Sequence, residues 1–270
     1  MAIKRFGRYF LLLTFLLGSL IAQMTPSVTL TTKPDTRFDI ILADPAHRAL
    51  LPPTLAGQLT VLPPGSFLIK NKTDKAITAL VARWTFTDAD GKTRPHGLNT
   101  DAYYLPIDWT VVKPFSLLLV TPMGYATEDQ FQRLASAGAL DPLPKISGPK
   151  AIDNTRLASI TVSVDSLIFE DGAIFGPDNE KYYLTLMTRR SVLQELSAEL
   201  KVAKEQGEDF NTHLEKIKNE IPNSRDERAL MRRKVAGMLQ RHPEPEKLLQ
   251  QLEARPPLPE FHHVEEGEGQ

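Results

Sequence analysis

The chain has 270 residues, 41% of them hydrophobic, with 32 Lys and Arg against 33 Asp and Glu and no Cys. The missing thiols exclude disulfides, thiolate catalysis and a cysteine-linked lipid anchor. A formal net charge of −1 argues against a dedicated nucleic-acid binder.

The amino terminus reads as an export signal. Lys4, Arg5 and Arg8 precede an apolar run from Tyr9 to Ala22, broken only by Thr14, Gly18 and Ser19. A basic segment, a short apolar stretch and a small closing residue are the parts of a secretory signal. The run falls short of the roughly 20 residues a bilayer span needs. Residues 1–22 are therefore expected to be a signal peptide cut after Ala22, with Leu20 larger than is usual at the −3 position. Lys4-Arg5 stands where paired Arg would mark the twin-arginine route, so general secretion to the periplasm or the exterior is expected. The mature chain would keep 248 residues and, having lost three basic side chains and no acid, a net charge of −4. No later stretch is apolar and long enough to span a membrane.

Residues 23–180 read as β. Two short apolar runs flank Pro63-Pro64-Gly65, and a polar turn follows at residues 71–75. Ile77 to Phe86 alternates, with Leu80, Ala82, Trp84 and Phe86 on one face. Asp90-Gly91 supplies the positive φ that a hairpin turn demands. Phe115 to Thr121 is a further apolar run. Thr127 to Ala139 is the one helix expected in this region, capped by Thr127 and buried through Phe131, Leu134 and Ala135. Leu157 to Phe169 is a second long strand, turned by Glu170-Asp171-Gly172 into Ala173-Ile174-Phe175. Short strands punctuated by Gly, Pro and Asp predict a mainly β chain, an antiparallel β-sandwich.

Asn71-x-Thr73-x-Lys75-x-Ile77, Trp84-x-Phe86 and Asp90-Gly91-Lys92 resemble a recurrent hairpin of immunoglobulin-like domains in exported bacterial proteins. Ile168 to Gly172 with Gly176-Pro177-Asp178 resembles a second element of that group. The likeness covers about 35 residues in two patches and implies an immunoglobulin-like sandwich in the cell envelope. It implies no activity, and no catalytic residue carries over.

Charge concentrates from Glu180 onward, where 32 of the 65 Asp, Glu, Lys and Arg residues fall. Apolar or small residues recur in steps of three and four at Leu193, Leu196, Leu200, Ala203, Gly207, Phe210, Leu214, Ile217 and Ile221. This heptad seam predicts one long helix broken at Pro222. A second helix runs from Asp226 to His242-Pro243, and a short third from Glu246 to Ala254. Residues 181–254 are thus a helical extension, with two readings. It folds as a hairpin on its own seam or against the sandwich, or it is a coiled coil that pairs with another copy or a protein partner. Residues 255–270, rich in Pro and Glu, are expected to be disordered.

Candidate chemistry is sparse. The six His show no metal-binding spacing, and His262-His263 reads as a solvated tail. Asp165, Asp171 and Asp178 offer hard oxygen ligands that suit calcium, but in no calcium-loop spacing. Arg225, Arg228, Arg232, Arg233, Lys234 and Arg241 form a basic patch that suits an anionic surface or reads as a solvated helix face. Tyr103, Tyr104 and Trp109 suit the lining of a carbohydrate groove. Asn71-Lys72-Thr73 matches a glycosylation sequon. There is no Gly-x-Ser-x-Gly elbow and no phosphate loop, and no cofactor is expected. The sequence favours a non-enzymatic exported protein used for interaction or envelope structure. A carbohydrate-binding module or hydrolase with a loop-built site is the alternative, and an assembly chaperone the third possibility.

Overall fold

The structure, a computed structural model, describes residues 26–103, 111–136, 157–220, 226–254 and 257–264. Two sheets enclose a common core. The larger contains β1 (Ser27–Leu30), β4 (Ile77–Asp88), β5 (Thr93–Asp101), β8 (Leu157–Phe169), β9 (Ala173–Phe175) and β10 (His262–His263), ordered β10-β9-β8-β4-β5 with β1 also on β8. The smaller runs β2-β3-β6-β7, from β2 (Phe38–Leu42), β3 (Phe67–Asn71), β6 (Leu117–Thr121) and β7 (Gly124–Thr127), and is antiparallel throughout.

The alternation in β4 does what its pattern requires. Leu80, Ala82, Trp84 and Phe86 join Phe67, Ile69, Leu118 and Val120 of the smaller sheet in the shared core. Trp84 is 1% exposed, and its Nε1–H donates to the Gly65 carbonyl at 2.8 Å. A Cβ on Gly65 would meet the Trp84 ring at 3.1 Å, so a glycine at φ +80 lets the turn close over the indole. The opposite face of β4 is buried too, because Ala79 and Val81 lie under Tyr182 and Leu186. The outer face of the smaller sheet is covered by α1 (Pro53–Ala56) and α2 (Glu128–Ser136), through Leu55 and Phe131.

Beyond the sheets, α3 (Tyr182–Glu205), α4 (Phe210–Asn219), α5 (Glu227–Arg241) and α6 (Pro245–Glu253) surround a second core. Leu193, Leu196, Leu200, Leu214 and Ile217 pack there with Val235, Leu239, Leu248 and Leu252. No described helix is long and apolar enough to cross a membrane.

Four expectations change. Helix outweighs strand among the described residues, 36% to 31%, so the protein is not mainly β. The larger sheet is mixed, since β1 runs parallel to β8 and β10 parallel to β9. The heptad seam is not one helix: Gly207 at φ +81 ends α3, with Glu208 N–H donating to Ala203 O and Gly207 N–H to Lys204 O. Asp209 then caps α4 through the Thr212 N–H at 2.8 Å. Finally, residues 257–264 return to the larger sheet rather than trailing away. Leu258 and Phe261 pack over Ile174 and Tyr182, and the Glu260 carbonyl passes where a Cβ on Gly172 would sit.

Candidate functional site

Strands β1 and β9 share one edge of β8 and leave its middle open. β1 pairs with Ser159 to Val162, and β9 with Leu167 and Ile168. Between them β8 bulges. Val81 faces Ser166 and Ala82 faces Val164, which leaves Asp165 without a partner across the ladder. Backbone groups of the gap are met from outside the ladder. Val164 N–H donates to Thr32 Oγ1 at 2.7 Å, and the Asp165 carbonyl accepts from Asp178 N–H at 2.8 Å. The Asp165 carboxylate, 4% exposed as a residue, accepts from Asn179 N–H at 3.1 Å, Asn179 Nδ2 at 2.8 Å and Glu180 N–H at 3.3 Å. Gly176 lets the two backbones approach, since a Cβ there would lie 2.4 Å from the Asp165 carbonyl oxygen.

The gap opens into a cleft of about 850 Å³ between residues 31–38 on one side and residues 175–179 on the other. Its floor is apolar: Phe38, Val164, Leu167 and Phe175. Its rim is polar. The Arg37 guanidinium lies 3.6 Å over the Phe175 ring and donates to Asp35 from Nε at 3.0 Å and Nη2 at 3.1 Å. Burial pushes the Asp35 carboxyl up, but these hydrogen bonds hold it below its ordinary range. The rim carboxylate is thus fixed as a charge partner and held ionised.

A second polar cluster joins the helices to the sheet. Asp101, at the end of β5 and 3% exposed, accepts from Tyr182 Oη at 2.8 Å and from Arg189 Nη1. Burial, then the neighbouring Asp101, pushes the Tyr182 phenol well above its ordinary value. Neither Asp101 nor Arg189 carries a local sequence signal, because the pair spans 88 residues.

The residues singled out from sequence fare unevenly. Tyr103 turns its hydroxyl inward, donating to Thr78 Oγ1 at 3.2 Å, while Tyr104 and Trp109 lie outside the described residues. Asp165, Asp171 and Asp178 do not converge on a cation. Asp165 is spent on the bulge, Asp171 pairs with Lys75, and Asp178 accepts from Tyr182 N–H at 3.1 Å. Among the described residues no three His, Asp or Glu side chains form a metal site. The basic patch is partly neutralised within the chain, Arg228 by Glu195 and Arg232 by Glu199 and Glu220. Arg225 lies outside the described residues. The heptad side chains Leu193, Leu196, Leu200, Leu214 and Ile217 are buried inside the helical unit, with Phe210 at its edge. Asn71 is 1% exposed and fully bonded to Thr73, Lys75 and Lys113, so the sequon residues serve a turn. His262 and His263 are both exposed, as a solvated pair would be, but are held on β10, where His263 Nε2 lies 3.6 Å from Asp178 Oδ2. Ser166 is fully buried beside this Asp178 carboxylate.

Arg37, Asp35 and Phe175 are the residues that sequence reasoning missed. The one local trace is Asp35-x-Arg37, two residues apart in an extended segment. Comparison with protein-family models, curated proteins and solved structures finds no match.

Proposed function

We propose that the chain is a non-enzymatic exported interaction protein. In this reading an immunoglobulin-like two-sheet module binds its ligand in the cleft beside the β8 bulge, and the four-helix unit is fixed to the outer face of the larger sheet. The chemistry of the cleft carries the proposal. Its volume of about 850 Å³ suits a small ligand or a short segment of a glycan or peptide, its floor is apolar, and every carboxylate on its rim is already committed. Such a site holds a ligand but offers neither a free general base nor an activated nucleophile.

The order β9-β8-β4-β5 of the larger sheet supports the immunoglobulin-like assignment, since its strands then read as G-F-C-C′. The smaller sheet departs from that pattern, running β2-β3-β6-β7 where A-B-E-D would give β2-β3-β7-β6, and the chain crosses between sheets after β1, β3, β5 and β7. Export rests on the basic, apolar and small-residue pattern of residues 1–22.

A thermal-shift screen of glycans and peptides on the chain from Gln23, run beside Thr36→Trp, tests the site. Thr36 is exposed on the cleft rim, so an indole there fills the opening without disturbing a core. Ligands that stabilise the parent chain and not the variant support the proposal. Ligands that stabilise both equally place recognition elsewhere, and a screen with no binders overturns the cleft as a binding site.

A further inference from the structure

α4 is the least buried helix of its unit, with only Leu214 and Ile217 buried and Phe210 partly so. A chain of charges supplements this contact. His213 Nε2 lies 2.8 Å from Glu199 Oε1 on α3, and His213 Nδ1 lies 2.9 Å from Glu208 Oε2 in the turn. Arg232 of α5 takes the other Glu199 oxygen and lies 3.6 Å from Glu220 at the end of α4. Lys216 pairs with Glu208, and Asp209 is occupied as the cap. The chain of charges therefore runs Lys216, Glu208, His213, Glu199, Arg232, Glu220, across α4, the turn, α3 and α5.

A carboxylate oxygen only accepts, so both ring nitrogens of His213 must donate. A neutral imidazole has one N–H, and only the imidazolium has two. We propose that His213 is a proton-operated clamp: charged, it fastens α4 to α3 and α5, and uncharged, it turns a lone pair on one carboxylate and loosens α4 from the core it covers. The hydrogen bonds to Glu199 and then Glu208 raise the His213 pKa above 6.5. Stability from a raised histidine is full below that ordinary value and is lost as pH climbs through the raised one. The clamp thus holds in mild acid and slackens on the alkaline side.

Hydrogen exchange by mass spectrometry on the full chain, at about pH 6 and about pH 8.5 with intrinsic rates corrected, reads the clamp. Protection of residues 210–219 is expected to fall about threefold or more at the higher pH, while residues 182–192 stay unchanged. In His213→Gln, protection of 210–219 is low at both values. Equal protection at both pH values in the parent, or the same pH dependence in the variant, overturns the proposal. Long-range 15N spectra of the parent give a readout that does not depend on the variant folding. Both His213 nitrogens must be protonated at about pH 6, and a neutral tautomer there refutes the clamp.

Discussion

The joint between sheet and helices is expected to fail when Asp101 is removed. Asp101→Ala leaves the Tyr182 hydroxyl without its acceptor and leaves the Arg189 side chain, 14% exposed, without the carboxylate that faces it. Removing one partner of a buried ion pair costs about 3–5 kcal/mol, because the surviving charge stays desolvated. A domain is stable by about 5–15 kcal/mol, so the loss is a large fraction of the total. The loss belongs to the burial of the charge and not to the bond count, which yields a second expectation. Combining Asp101→Ala with Tyr182→Phe and Arg189→Met removes the three bonded partners together, and the triple variant recovers most of the stability. Urea unfolding of parent, single and triple variants, followed by far-UV circular dichroism, measures both. A single variant that loses less than about 1 kcal/mol, or a triple variant no better than the single, refutes the account of this joint.

Two further perturbations probe the bulge and its neighbour. Gly176→Ala places a methyl 2.4 Å from the Asp165 oxygen at a residue with φ +99, and is expected to cost at least about 1–3 kcal/mol in urea unfolding. Asp178→Asn should be neutral or stabilising at pH 7. Burial raises the Asp178 carboxyl above 3.8, and an acid whose pKa is raised on folding opposes folding once pH exceeds that raised value. Asn keeps the acceptor for Tyr182 N–H and tolerates the left-handed backbone at φ +44. Its advantage over the parent should shrink as pH falls through the raised value, and a variant clearly less stable at pH 7 contradicts this sign.

The long strands were legible because burial imposes a period on them. Leu157 to Phe169 forms β8 over the expected residues, and the Asp90-Gly91 hairpin turns β4 into β5 as expected. β5 itself escaped, since Thr93 to Asp101 contains Pro95 and Gly97 and turns mostly polar residues to solvent along a sheet edge. The heptad steps continued through Gly207 because a helix stop followed by a new cap preserves spacing. The signal that distinguishes them was local, a Gly two residues before the capping Asp209. The cleft was illegible because it is made by three separated segments and a bulge. A bulge shifts the side-chain phase by one residue, so Val164 and Leu167 both face the core although their spacing places them on opposite faces.

The cleft is the centre of the functional account, and nuclear magnetic resonance mapping of the first ligand found on the chain from Gln23 tests it most directly. Amide shift changes confined to residues 31–38 and 163–179 are the predicted result. Changes centred on α3 to α6, or around residues 93–103 of the β5 edge, would contradict it and move recognition to another surface.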